Sequence, residues 1–169
     1  MKQIKIGIAG MGTVASGVVK VLERNQAEIT RRAGRGIEVA VVCERTPGRA
    51  AHLEERGVEV INDLSQLASH PDVDIVVELI GGYEPARSFV LEAIANGKHV
   101  VTANKALLAE HGNEIFQAAQ DKGVTVAFEA AVAGGIPVIK ALREGLSANR
   151  IEWIAGIING TTNFILTQM

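Results

Sequence analysis

The chain has a single cysteine, Cys43, among its 169 residues, so no internal disulfide can form and a disulfide-stapled scaffold is excluded. Aromatic residues make up only 4%. The core must be filled by Val, Ile, Leu and Ala instead, a composition suited to parallel strands buried on both faces. Neither sign of charge dominates: 17 basic residues stand against 19 acidic ones, for a net charge of −2. With no basic block, the sequence argues against nucleic acid and against an anionic membrane surface as partners. No apolar run approaches the roughly 20 residues of a membrane-spanning helix. The first strand pattern starts at residue 3 and leaves no room for a signal peptide, so the expected compartment is the cytoplasm. The four histidines, at 52, 70, 99 and 111, are scattered. None has metal-ligand spacing, and no nucleophile–base pair is visible.

What is present is a globular composition, 47% hydrophobic and 21% charged, in a length that fits one domain or one domain plus part of another. The organising stretch is Ile4 to Gly17. A short apolar strand runs into Gly10-x-Gly12-x-x-Ala15 and straight on into a helical pattern. Gly10 allows a tight turn off the strand, Gly12 lets a pyrophosphate approach the backbone, and Ala15 lets the helix pack near the strand. The pyrophosphate then lies on a helix N-terminus, where N–H groups and the dipole favour an anion. An ordinary strand-to-helix turn is the alternative reading of the glycines alone.

Periodicity carries the pattern onward. Val14, Val18, Val21 and Leu22 share a helical face, and the helix is expected to run to about Arg32. Ile37–Cys43 reads as the second strand, with Cys43 as packing at its end rather than a nucleophile. A helix follows from Pro47 to about Gly57, then a strand at Val58–Ile61. Asp63-Leu64-Ser65-Gln66 has the form of a capping box. Asp74–Ile80 reads as a buried strand, followed by a helix from Glu84-Pro85 to Gly97. His99–Thr102 is the fifth strand, a long helix runs to Gly123, and Val124–Phe128 is the sixth strand. Repeated β-α-β-α units with short connections predict an α/β fold, a doubly wound parallel Rossmann sheet. From Glu129 the texture changes. Val138–Leu146 looks helical, Ile151–Ile158 reads as a strand, and a further piece begins at Phe164. One helix and one strand do not make a domain. The division expected is therefore residues 1–130 as a dinucleotide-binding domain and 131–169 as the start of an incomplete α+β second domain.

Four clusters carry candidate chemistry. At the end of strand two, Glu44 favours the ribose hydroxyls of NAD, whereas Arg45 with Thr46, assisted by Arg49, favours the 2′-phosphate of NADP. The guanidinium–hydroxyl pair tips the reading toward NADP; a solvated charged turn is the alternative. Ile80-Gly81-Gly82, after strand four, would let backbone approach the nicotinamide side, or is a plain turn. Thr102-Ala103-Asn104-Lys105 places a lysine at a strand's carboxyl end, facing cofactor or a substrate carboxylate as a point charge, or else solvent. Glu129 precedes a loop of exposed carbonyls, the donor set of a hard cation.

Taken together, the motifs Gly10–Val18, Val101–Leu107, Glu129–Pro137 and Gly156–Leu166 resemble those of homoserine dehydrogenase over the whole chain. The resemblance implies an NAD(P)-dependent enzyme interconverting L-homoserine and L-aspartate 4-semialdehyde in the aspartate pathway. It implies that Gly10, Gly12, Thr13 and Val14 hold the pyrophosphate and that Ala103 and Lys105 lie against the nicotinamide half. Glu129 and the carbonyls of Val132, Gly134 and Ile136 match the family's monovalent-cation site, usually sodium. Asn159-Gly160-Thr161 would sit by the cofactor–substrate junction. Ala15 stands where the family usually has glycine, and Glu44-Arg45 matches no single family choice. The resemblance further implies a homo-oligomer for the full-length enzyme. It puts the substrate-binding acids and the proton-donating lysine beyond residue 169, so no catalytic residue is expected within these residues and the fragment is expected to be inactive alone. The competing readings are another Rossmann reductase of small amino-acid precursors and a non-catalytic NAD(P)-sensing module.

Overall fold

Apolar strands alternating with helices predict a parallel sheet, and the computed structural model, which describes residues 2–156 and 166–168, contains one. Six strands run parallel: β1 (Ile4–Ala9), β2 (Ile37–Cys43), β3 (Glu59–Ile61), β4 (Ile75–Glu78), β5 (His99–Thr102) and β6 (Val126–Ala127). Their order across the sheet is β3-β2-β1-β4-β5-β6. The chain thus steps outward from β1 on one side and then returns to lay β4 on its other side. This reversal is the switch point at which doubly wound sheets open a ligand crevice.

Helices cover both faces. α1 (Thr13–Arg24), α2 (Gln26–Ala33) and α3 (Ala51–Glu54) lie in sequence between β1 and β3, and α4 (Leu64–Ser69), α5 (Ala86–Ala95) and α6 (Lys105–Lys122) between β3 and β6. Strand alternation separates two cores. Ile6, Ile8, Val42 and Val77 face one side with Val19 and Leu53. Val41, Val76 and Val100 face the other with Leu67, Phe89, Ile94, Leu107 and Ile115. Asp63 is the N-cap that the spacing predicts: its side chain accepts the Ser65 N–H at 2.9 Å and starts α4.

Four expectations need correction. The first helix is not continuous to Arg32; it breaks at Asn25 (φ −109°, ψ 19°). The break separates a segment with Ala15 and Val19 buried on the sheet from one with no buried residue, whose Glu28 pairs with Arg31 and Arg32. The helix expected from Pro47 is a four-residue α3. β6 is two residues long because Val124 gives its N–H to Ala119 O at the end of α6 and Phe128 leads into a 3-10 turn at Glu129–Ala131. Finally, the stretch Ile151–Gly156 is not a strand: it pairs with none of the described residues, and Trp153 and Ile154 are 77% and 68% exposed. A strand without a neighbouring ladder has no hydrogen bonds to hold it extended. The expected helix over Val138–Leu146 forms as α7 (Val138–Lys140) widening into a π turn at Ala141–Gly145. Ile157, Ile158, the Asn159-Gly160-Thr161 motif, Thr162, Asn163 and Phe164 lie outside the described residues.

Candidate functional site

The registers β1↔β2, β1↔β4 and β4↔β5 put Cys43, Ala9, Glu78 and Thr102 in one row across the sheet. The residue after each opens a loop: Glu44, Gly10, Leu79 and Ala103. The candidate site is built on these four loops.

Gly10 adopts φ +87°, where an L side chain is strained, and an added Cβ would lie 3.3 Å from the Leu79 carbonyl oxygen. Its N–H donates to Cys43 O at 2.8 Å. Gly12 is different. Its φ is an ordinary −82°, and a Cβ there would meet nothing within 4 Å. The protein's own packing therefore gives no reason for glycine at 12, whereas the close approach of an external group does. Gly12 caps α1 without a side-chain acceptor, and no acid stands in the first turn. The exposed Thr13 and Val14 begin a 12-residue helix whose leading N–H groups have no intrahelical partner. That is the geometry of an anion site. Ala15 is fully buried beneath it.

Gly10, Gly12, Glu44, Arg45, Thr46 and Arg49 line one cavity of about 260 Å³. Arg45 and Arg49 are exposed, Glu44 only partly so. The Glu44 carboxylate accepts the Met11 N–H and the Thr46 N–H, each at 2.8 Å, with the Arg49 guanidinium 3.7 Å away. Burial works to raise its pKa, but the Thr46 and Met11 N–H groups and Arg49 outweigh burial and hold it below the ordinary carboxylate value. Cys43 also lines the cavity at 3% exposure, and burial, aided by the charges of Asp63 and Glu44, pushes its thiol up to about 11. It is a packed thiol, not a nucleophile. A larger cavity, about 540 Å³, is lined by Lys5, Glu38 and Arg56 among others, at the amino ends of β1 and β2, away from the loops.

Ala103 and Lys105 do not line the Gly10 cavity. They belong to the loop after β5, two strands from β1, with Lys105 exposed as the first residue of α6. Asn104 caps that helix, its Oδ1 accepting the Leu107 N–H at 3.1 Å. Glu129 accepts the N–H groups of Ile139 and Lys140, one on each oxygen at 2.9 Å, and so caps α7. Between them the chain turns through Ala133 and Gly134, at φ +56° and +59°. No group of three or more His, Cys, Asp or Glu able to hold a metal occurs among the described residues. Within this loop the Ile136 carbonyl accepts the Val138 N–H at 2.8 Å.

Sequence reasoning set Glu44 against Arg45 as rival readers of the cofactor and missed that Glu44 fastens the glycine loop. It also passed over Glu78, which is fully buried. The signal for both was available: an acid standing at the end of an otherwise apolar strand.

The sheet order and the crevice define a dinucleotide-binding α/β protein of the Rossmann type. Residues 10–129 match the family model described as homoserine dehydrogenase, NAD binding domain, and residues 137–169 match that described as homoserine dehydrogenase. The chain belongs to the homoserine dehydrogenase family. It is 63% identical over all its residues to homoserine dehydrogenase of Pseudomonas aeruginosa and 55% identical to that of Neisseria gonorrhoeae. It spans 38% and 39% of the length of these two relatives. Among solved structures, a homoserine dehydrogenase from Thiobacillus denitrificans superposes with a TM-score of 0.91 at 62% identity, covering 100% of this chain and 39% of that one. A hyperthermophilic archaeal homoserine dehydrogenase in complex with NADPH superposes at 0.77 with 26% identity, covering 99% and 56%. No described helix is long and apolar enough to cross a membrane.

Proposed function

We propose that this chain is the cofactor-holding part of a homoserine dehydrogenase that binds NADP in preference to NAD and serves the interconversion of L-homoserine and L-aspartate 4-semialdehyde. In this reading residues 1–130 hold the dinucleotide and 131–169 begin the substrate-binding, dimer-forming part of a cytoplasmic homo-oligomer. The observation that carries it is the shared crevice. Gly10 and Gly12 leave backbone open to a pyrophosphate, and Arg45, Thr46 and Arg49 stand on the same cavity for the ribose end. Glu44, the residue that would favour NAD, has each oxygen engaged by a backbone N–H. The exposed guanidinium groups of Arg45 and Arg49 on the same cavity wall are the readers of a 2′-phosphate.

The bound nicotinamide supplies or accepts the hydride. The chain's own contribution is orientation. The start of α1, with Thr13 and Val14, receives the pyrophosphate, and Lys105 at the start of α6 offers a point charge to the nicotinamide half or a substrate carboxylate. The NADPH named for the archaeal neighbour supports the same cofactor class here. Glu129 with the carbonyls of Val132, Gly134 and Ile136 fits a monovalent cation such as sodium: few ligands, all oxygen, one negative charge. The chain spans only 38% of the Pseudomonas relative, so the 169-residue form is expected to bind cofactor without turning homoserine over.

Calorimetric titration of the chain with NADPH and NADH tests the cofactor reading. Loss of one charge-assisted bond, about 1.5–3 kcal/mol, predicts that Arg45→Ala weakens NADPH by roughly tenfold or more and leaves NADH unchanged. Unchanged NADPH binding would sink the clamp. Homoserine-dependent NADPH formation by the purified chain would refute its inactivity.

A further inference from the structure

Glu78 is a charged residue where the sheet would be expected to carry an apolar one. It ends the run Ile75-Val76-Val77, is 0% exposed, and stands in the strand-end row between Ala9 and Thr102. Taking a carboxylate out of water is strongly unfavourable unless donors meet it. Three do. Oε1 accepts the N–H groups of Ile80 at 2.9 Å and Gly81 at 3.1 Å, and Oε2 accepts the Thr102 hydroxyl at 2.6 Å.

The contacts continue into a closed ring. The Thr102 hydroxyl gives its one proton to Glu78, so its oxygen is left to accept, and it takes the Asn104 N–H at 2.9 Å. Asn104 returns to the first loop, its Nδ2 donating to Gly82 O at 2.7 Å. Its Oδ1 meanwhile caps α6 at Leu107. The ring therefore joins the loop after β4 to the loop after β5. What the ring adds is a fixed relation between the 80–82 backbone and the start of α6, which carries Lys105.

We propose that Glu78 is a positioning residue which, through Thr102 and Asn104, holds loop 80–82 and the Lys105 end of α6 in the register that receives the nicotinamide end of the cofactor. The inference rests on the dinucleotide reading above. The adenosine end is organised separately, by Glu44 on Met11 and by Arg45. Breaking the ring should therefore disturb one half of the cofactor and not the other.

The test titrates the 169-residue chain with NADPH and with 2′,5′-ADP, which carries the adenosine half alone. Thr102→Val keeps the shape and removes the hydroxyl, Thr102→Ser restores it, and Glu78→Gln removes the charge. Thr102→Val and Glu78→Gln are expected to weaken NADPH at least tenfold and 2′,5′-ADP less than twofold, with Thr102→Ser close to the parent chain. If Glu78→Gln fails to fold, the Thr102 pair decides. Equal loss of both ligands, unchanged NADPH affinity, or unfolding of Thr102→Val seen by circular dichroism would overturn the proposal. A parent chain that binds neither ligand would instead overturn the dinucleotide reading on which it rests.

Discussion

The Glu44 carboxylate accepts the Met11 N–H at 2.8 Å, so the end of β2 is tied to the middle of the glycine loop after β1. The same side chain takes the Thr46 N–H and faces Arg49. One acid thus ties together the wall of the cavity lined by Gly10, Gly12, Arg45, Thr46 and Arg49, the wall proposed to receive the pyrophosphate and the ribose.

This arrangement has a pH signature. Glu44 has a folded pKa below its ordinary value of 4.5. Its contribution is therefore complete above the unfolded value and is lost as pH falls through the folded one. Glu44→Ala leaves two backbone donors without their acceptor and is expected to cost about 1–3 kcal/mol at pH 7. In urea unfolding, the gap between parent and variant should be full at pH 7 and shrink as pH drops below 4.5. A gap of the same size on both sides of that pH would show that the carboxylate is not the acceptor that matters.

The two loop glycines should fail in different ways. Gly10→Ala forces a side chain to φ +87° and toward the Leu79 carbonyl. The left-handed penalty alone is about 1–2 kcal/mol, or about 2–8 °C in Tm for a chain of this size. Gly12→Ala meets no protein atom within 4 Å. Losing a glycine cap should change its stability by less than about 1 kcal/mol. Its added methyl nonetheless stands where a pyrophosphate would approach, so NADPH binding should fall at least about tenfold, or about 1.4 kcal/mol. Calorimetry of both variants with and without cofactor checks this. A Gly12→Ala chain that binds NADPH normally would remove Gly12 from the site.

Much of this architecture was legible because buried parallel strands and their helices have simple periods. Ile4–Ala9, Ile37–Cys43 and His99–Thr102 form as read, since each is an apolar run closed by glycine, an acid or a cap. The helix break at Asn25 was not legible: the residues on both sides favour helix, and the second segment still meets β2, though none of its residues is fully buried. Ile151–Gly156 has strand composition but no pairing, because composition supplies propensity and a ladder requires a neighbour. Backbone requirements were legible where they restrict the residue type, as at Gly10 with its positive φ. Partners were not. Glu44 was placed at the right strand end, but its hydrogen bond to Met11 spans 33 residues, and the ring from Glu78 to Thr102 spans 24. No local pattern encodes such pairings.

Glu129 offers the remaining test, because the observed contact to α7 and the proposed cation role can be separated. Each accepts one N–H from the start of α7, at Ile139 and Lys140. A carboxylate oxygen has more than one acceptor position, so the same group can still take a cation, as the proposed site with the Val132, Gly134 and Ile136 carbonyls requires. Glu129→Ala removes both functions. Loss of such a cap costs about 0.5–2 kcal/mol, which predicts amide exchange at Ile139 and Lys140 faster by roughly 2- to 30-fold. Glu129→Gln keeps one acceptor oxygen, so exchange should rise less, while a response to sodium should be lost as fully as in the alanine variant. Amide exchange followed by NMR, in sodium chloride and in tetramethylammonium chloride at equal ionic strength, separates the two. Unchanged exchange in Glu129→Ala would remove the cap, and a sodium response surviving in both variants would remove the cation site. In the parent chain the two effects should reinforce each other, since a cation that draws on the outer face of Glu129 also fixes the carboxylate on which α7 begins.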